Sequence, residues 1–402
     1  MGFWSRTKKG RILHDPDINN LSRGFNYDSN EIAIAFRRVA ESRYGSAALS
    51  GINVDFQTIR VFDCPISFTT VKTGVSTEEQ GLTGGVKIAL PGKGEIYCNV
   101  SADRSMIGAL FSTKYRGEVE TFFEEIAEML ESHSIYKGQA VTTYRSFVDL
   151  SEVSFDGVVY DKKVRQELSE HVWAIIKKPE ECAKAGVHLP RKVLFQGQYG
   201  TGKTLASYLT AKVAIENGWT FVYMPMSSLA NPVALSGAIF FARRYSPVVL
   251  NVEDIDYEQK DGNEFTLRNT LDAIDGLLAK NTKILIVMTT NYPEDISPAM
   301  QRPGRIDKVI KFGTLGAEDT KTLITLSAGE YRFDQGINWS NVVEACKDYP
   351  PAFIQAVSKN AALKFINSGL AGFISEKALV DAALDLREQF AACRKGLSDG
   401  YL

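Results

Sequence analysis

Gly197-Gln198-Tyr199-Gly200-Thr201-Gly202-Lys203-Thr204 is the stretch on which the reading of this chain turns. It fits GxxxxGK[ST] and stands in the context that pattern needs. Lys192-Val193-Leu194-Phe195, just before it, reads as a buried strand, and Leu205-Ala206-Ser207-Tyr208-Leu209, just after it, reads as a helix. In a strand, loop and helix of this kind the glycines let backbone N–H groups close around phosphate oxygens. The helix N-terminus adds its positive dipole. Lys203 is expected between the β- and γ-phosphates of a nucleoside triphosphate, ATP, and Thr204 on the accompanying Mg²⁺.

Working outward, Val248-Val249-Leu250-Asn251-Val252 reads as a second buried strand and ends in Glu253-Asp254-Ile255-Asp256. Acids delivered at the end of a buried strand suit a Mg²⁺·ATP site, one carboxylate for the metal shell and one to activate water. A third apolar strand, Lys283-Ile284-Leu285-Ile286-Val287-Met288, leads to Thr289-Thr290-Asn291, where a polar side chain can orient the attacking water. Gln301-Arg302-Pro303-Gly304-Arg305-Ile306-Asp307 then sets two guanidinium groups three residues apart. Such groups meet a phosphate bidentately, and when a neighbouring subunit supplies them they stabilise transition-state charge.

In order and spacing these motifs resemble the AAA ATPases, the AAA+ subgroup with the second region of homology, over residues 150–390. The resemblance makes residues 197–204 the Walker A segment, with Leu205 beside it, and Glu253-Asp254 the Walker B acids. It makes Asn291 sensor 1, and Arg302 and Arg305 the arginine fingers. Val153-Ser154-Phe155-Asp156-Gly157-Val158 resembles the segment that opens these domains and lines the adenine pocket, which brings in Asp156 and Gly157. Tyr349-Pro350-Pro351-Ala352-Phe353 stands where the family's helical lid faces the nucleotide. The acids occur in the order Glu then Asp, so Glu253 takes the metal side with Thr204, and Asp254, a methylene shorter than Glu, activates water. Ser227-Ser228-Leu229-Ala230-Asn231-Pro232 replaces the aromatic loop that grips a threaded polypeptide. Both departures are most similar to the branch of the mitochondrial AAA translocase that assembles the cytochrome-bc complex, with its bacterial and viral relatives, but without that member's membrane helix.

A length of 402 residues exceeds the ~250–300 at which one hydrophobic core stops growing, so several units are expected. Three are read: a strand-rich α+β unit over 1–150 that binds partner or substrate, a P-loop parallel α/β ATPase unit over 151–314, and an all-helical lid over 315–402. Residues 1–30 read as irregular and 30–43 as a helix. Strands follow over 52–100, with turns at Gly84-Gly85 and Pro91-Gly92, then an acidic-faced helix over 118–132 and a strand over 137–144. Helical spacing recurs over 162–177, 317–328, 339–347, 351–367 and 375–392.

The composition, 44% hydrophobic and 23% charged, excludes a mainly disordered chain. Forty-six Lys and Arg against 48 Asp and Glu give a net charge of -2, which makes no electrostatic case for nucleic acid. No apolar run reaches the ~18 residues of a membrane helix, and neither a signal peptide nor a myristoylation pattern opens the sequence. Five scattered cysteines read as free thiols of a reducing compartment, which points to the cytoplasm. The expectation is an ATP-hydrolysing homo-oligomer, a hexamer with a heptamer as the alternative, acting on protein substrates. A DNA-associated AAA+ accessory ATPase and a nucleotide-gated scaffold with weak turnover are the alternatives.

Overall fold

The computed structural model describes residues 11–12, 17–55, 60–90, 94–101, 105–225, 232–255, 282–292, 302, 304–367 and 373–398. The chain divides into two compact units, Met1–Lys137 and Gly138–Leu402. Residues 138–150, expected with the N-terminal unit, therefore sit in the second one. The reason is a strand, Ala140–Thr142, that completes the edge of the second unit's sheet.

The first unit runs β1 (Arg11–Ile12), β2 (Ile18–Gly24), α1 (Ser29–Tyr44), β3 (Leu49–Asp55), β4 (Arg60–Asp63), β5 (Ser67–Lys72), β6 (Glu78–Leu90), β7 (Gly94–Val100), β8 (Met106–Ser112) and α2 (Arg116–His133). The antiparallel strands lie in the order β1-β4-β3-β6-β7-β8-β2, with β5 on β6. Alternate residues of β6, Leu82, Val86, Ile88 and Leu90, point into one core with Ile32 and Phe36 of α1 and Phe122 and Ile126 of α2. Asp28 and Glu31 close a capping box at the start of α1. Arg43 then ties α1 to α2 through a fork on Glu118, with nitrogen–oxygen distances of 2.8 and 3.0 Å. That pairing holds the Glu118 carboxyl below its ordinary range.

Two expectations for this unit are corrected. Residues 18–24 are not irregular but form an edge strand on β8. Its Asn19-Asn20-Leu21-Ser22-Arg23 run is largely polar, so no alternation betrays it. Gly84-Gly85 is no turn but the middle of β6. There the strand passes from β5 to β3 and β7, with Gly84 at φ +75°. A Cβ on Gly85 would stand 2.1 Å from the Ile52 carbonyl oxygen, so the close strand approach requires glycine. Pro91-Gly92 lies outside the described residues.

The second unit contains β9 (Ala140–Thr142), α3 (Lys162–Leu168), α4 (Ala174–Lys177), α5 (Pro179–Lys184), β10 (Arg191–Gln196), α6 (Lys203–Glu216), β11 (Thr220–Met224), α7 (Pro232–Arg244), β12 (Val248–Val252), β13 (Ile284–Thr290) and β14 (Lys308–Lys311). A π turn, Ser169–Trp173, joins α3 to α4. The six strands are parallel in the order β14-β10-β13-β12-β11-β9. Every residue of β12 and β13 is buried, which accounts for their largely apolar sequences, interrupted by Asn251 and ending in Thr289-Thr290. β10, β12 and β13 are neighbours in register and release their chains at the same sheet edge. This is where ligands meet open parallel sheets.

Four helices follow: α8 (Ala317–Ser327), α9 (Trp339–Ala345), α10 (Pro351–Asn367) and α11 (Glu376–Ser398). They share their own core of Leu323, Ile324, Val342, Ile354, Val357, Leu379 and Leu386. Buried Ser358 donates to the Ile324 carbonyl at 2.8 Å, and Tyr349 to that of Ala383 at 2.8 Å. Among the described residues no helix is long and apolar enough to cross a membrane.

Gly85→Ala forces β3 and β6 apart and is expected to destabilise the first unit by about 1–3 kcal/mol. Chemical denaturation of the variant checks this, and a midpoint equal to the parent's contradicts it.

Candidate functional site

The loop between β10 and α6 is built from the residues its conformation demands. Gly200 and Gly202 have φ of +75° and +94°, which side-chain-bearing residues adopt with strain. A Cβ on Gly202 would stand 2.9 Å from the Tyr160 ring, and one on Gly197 would stand 2.3 Å from the Phe312 carbonyl oxygen. The Tyr160 hydroxyl donates to the Gly202 carbonyl at 2.8 Å, pinning the loop from the segment before α3. Gly202, at the start of α6, makes no side-chain cap, so the helix N-terminus faces the loop without a capping side chain from that position.

Lys203 is 6% exposed, and its ammonium has three close acceptors. Nζ donates to the Gly197 carbonyl at 2.7 Å, to the Gln198 carbonyl at 2.9 Å and to Asn291 Oδ1 at 2.7 Å. Asn291 Nδ2 in turn donates to Asp254 Oδ1 at 2.8 Å. The phosphate-loop lysine, the residue after β13 and the second acid after β12 thus form one hydrogen-bonded line. Thr289 completes it, accepting from the Asp254 N–H at 2.8 Å and donating to Oδ1 at 3.2 Å. These bonds hold Asp254 at φ +47°, a strained conformation for a residue with a side chain.

Glu253 is used differently. One oxygen accepts from the Thr204 hydroxyl at 2.9 Å, and the other accepts from the Tyr223 hydroxyl. Tyr223 is steadied by stacking on Tyr208, with ring centroids 6.3 Å apart. Burial, then Glu253, pushes its phenol well above the ordinary range, so it remains a donor. Hard oxygens of Thr204 and Glu253, brought together at the sheet edge, fit a Mg²⁺ ion. Burial raises the Asp254 carboxyl above its ordinary value, and the Glu253 charge adds to this. Lys203, Thr289 and Asn291 oppose the shift.

A cavity of about 330 Å³ opens over this edge, a size within the ~300–1,000 Å³ of small-molecule sites. Lys203, Thr204, Asp254 and Asn291 line its polar part. Gly157, Val158, Val159 and Tyr160 line another part, and Leu323, Pro351, Ala352 and Gln355 of the helical region close it. The Ala352 N–H donates to the Gly200 carbonyl at 3.1 Å, so the helical region touches the loop directly. The cavity thus joins polar groups of the loop and the acids to an apolar lining of Val158, Val159, Leu323 and Ala352.

Of the residues expected in the site, Tyr199, Gly200, Thr201, Gly202, Lys203, Thr204, Leu205, Gly157, Asp254 and Asn291 line this cavity. Gly197 and Gln198 act behind it through their carbonyls, and Glu253 reaches it through Thr204. Asp156 does not join them; it is exposed, and its carboxylate accepts from Ser154 Oγ at 2.9 Å. Arg302 and Arg305 are also outside the lining. Tyr160, Tyr223, Leu323 and Gln355 had no role in the sequence reading, and Thr289 was named there only with Thr290 and Asn291 as a polar group at the end of its strand. Tyr223 carried one signal, a polar-tipped aromatic at the end of an apolar strand beside the acids. Gln301, Pro303 and residues 227–231 lie outside the described residues.

Strand order, loop and acids define a P-loop nucleotide site. Residues 193–314 match the family described as ATPase family associated with various cellular activities (AAA), and this stretch is an AAA ATPase domain. The chain is similar to the ATP-dependent zinc metalloprotease FtsH of Mesoplasma florum, 29% identical over 236 residues, covering 55% of this chain and 36% of the relative. It is also similar to the 26S proteasome regulatory subunit 4 homolog of Schizosaccharomyces pombe, 28% identical over 214 residues, covering 49% of this chain and 47% of the relative. The corresponding homolog of Encephalitozoon cuniculi is 27% identical over 248 residues, covering 54% and 58%. The chain thus spans between about a third and three-fifths of the length of these relatives.

The raised Asp254 carboxyl gives a signed pH dependence. Unfolded, the group titrates near its ordinary 3.8, and folded it titrates higher. Above the folded value the buried charge lowers stability; below 3.8 both states are protonated and that cost disappears. Asp254→Asn removes the charge and keeps an acceptor for Asn291. Without nucleotide it is expected to melt higher than the parent at neutral pH, with the gap closing as pH falls into the ordinary carboxylate range. Melting curves across pH check this, and a gap independent of pH contradicts it.

Proposed function

We propose that this chain is an ATP-hydrolysing, ring-forming AAA protein that remodels, translocates or disassembles protein substrates. The observation that carries the reading is the line Lys203, Asn291, Asp254 along one cavity, with Arg302 and Arg305 outside that cavity's lining. One copy supplies everything but the guanidinium groups, and a neighbouring copy supplies those. Activity therefore requires an assembly, and a closed ring of six is proposed, with seven as the alternative.

In the proposed cycle Lys203 exchanges its own loop carbonyls for phosphate oxygens. Thr204 and Glu253 hold Mg²⁺, which supplies charge neutralisation across the phosphates. Asn291 then orients the attacking water and Asp254 accepts its proton. Because Ala352 rests on the Gly200 carbonyl, changes at the phosphate loop reach the helical region. Such domain movement is the output of the cycle.

The names of the relatives, a metalloprotease and a proteasome regulatory subunit, support a protein substrate. Partner choice is assigned to the N-terminal unit, expected over 1–150 and compact over Met1–Lys137, because an ATPase core carries no substrate information. The division into an ATPase unit over 151–314 and a lid over 315–402 is retained as part of this proposal. The Glu253-Asp254 order supports kinship with the cytochrome-bc assembly branch. A cytoplasmic location is proposed from the scattered cysteines. A nucleotide-gated scaffold with weak turnover is the second reading. It is favoured by the short Asp254 side chain, already held by Thr289 and Asn291.

Arg302→Ala and Arg305→Ala are expected to bind ATP as the parent does and to lose roughly 10³-fold in turnover. Mixing either with Lys203→Ala subunits, which lack nucleotide binding but keep both arginines, is expected to restore activity. Absence of rescue in mixed assemblies contradicts supply by a neighbour. Parent turnover no faster than that of Asp254→Asn favours the scaffold.

A further inference from the structure

Lys192 is the second residue of β10, just before the buried apolar run Val193-Leu194-Phe195, and it is 4% exposed. A buried ammonium is costly unless polar groups meet it. Its Nζ donates to the Gly304 carbonyl at 3.1 Å. Its backbone N–H donates to Asp307 Oδ2 at 2.7 Å, and its carbonyl accepts from the Asp307 N–H at 2.9 Å. Gly304 lies between Arg302 and Arg305 and has φ +94°. The turn is closed on itself as well, with the Arg302 carbonyl accepting from the N–H groups of Arg305 at 3.0 Å and Ile306 at 3.3 Å. A single residue of β10 therefore ties down, at three points, the turn that carries both guanidinium groups. The turn then runs directly into β14, paired with β10 from Val193 onward.

We propose that Lys192 is a positioning residue for Arg302 and Arg305. β10 then serves two sites: its end enters its own phosphate loop, and its start aims the arginines lent to the adjacent subunit. This rests on the reading that those arginines act in a neighbour's site. A shift of β10 on nucleotide binding is transmitted through Lys192 to the next site in the ring. The strand is the physical link that such coupling requires.

The test uses full-length chains in mixed assemblies. Lys192→Met keeps the length of the side chain and removes its donor. Mixed with a large excess of Lys203→Ala subunits, so that each Lys192→Met copy receives intact arginines from its neighbour, Lys192→Met is expected to hydrolyse ATP as the parent does in the same mixture. It should also bind ATP within about twofold of the parent. The double variant Lys192→Met/Lys203→Ala, mixed with Arg302→Ala/Arg305→Ala subunits, is expected to restore at least ~10-fold less turnover than Lys203→Ala itself does. Amide exchange at Arg305 and Ile306 should quicken, a change that a general loss of stability would spread over the whole sheet. Lys192→Arg, which still donates, should recover part of the function.

Equal donation by the double variant overturns the proposal, as does loss of ATP binding in Lys192→Met. If Lys203→Ala itself fails to rescue the arginine variants, the neighbour reading fails and the proposal falls with it, and that outcome is visible without any Lys192 variant. If Lys192→Met does not fold, Asp307→Ala removes the second tie from a less buried position. The same donor-specific loss is then expected, and normal donation by Asp307→Ala overturns the proposal.

Discussion

The structure depends on finding partners for one ammonium group. Lys203 is almost fully enclosed, and an enclosed charge must be met by acceptors. Here they come from the phosphate loop itself and from Asn291. Satisfying that lysine requires β10 and β13 to be neighbours and to end level with each other, which the parallel register supplies. It also requires the loop to bend back through two left-handed glycines, Gly200 and Gly202, so that Lys203 returns to the Gly197 and Gln198 carbonyls. The triphosphate, on this account, enters by replacing acceptors that the chain has already arranged.

The same sheet edge separates the two acids by environment. Glu253 is held by two hydroxyls, those of Thr204 and Tyr223, and stays available to a metal. Asp254 is turned onto strained backbone, half-buried, and raised in pKa by burial and by its neighbour. The missing methylene of Asp254 is compensated locally, since Asn291 and Thr289 come to it rather than the reverse.

The parallel sheet and most of its site were legible in the sequence because each requirement there is local. A glycine-rich loop must follow a strand and open a helix, and a strand buried on both faces is mostly apolar. The residues that escaped detection meet others only through tertiary register. Tyr223 reaches Glu253 because β11 lies beside β12, and Tyr160 reaches Gly202 from forty-two residues away. Strand β2 was hidden because, apart from Ile18 and Leu21, this edge strand is mostly polar and shows no alternation, and Gly84-Gly85 was misread because a crowded strand crossing and a turn both call for glycine. Asp156 entered the site by resemblance alone, and its carboxylate is occupied by Ser154.

The central claim is that the catalytic site is completed between copies. Specific ATPase activity measured across serial dilution, alongside the mass of the particles at each concentration, tests it most directly. Activity per subunit that falls as the assemblies dissociate is the predicted result. A monomer that keeps full activity per subunit at the lowest concentration would contradict it.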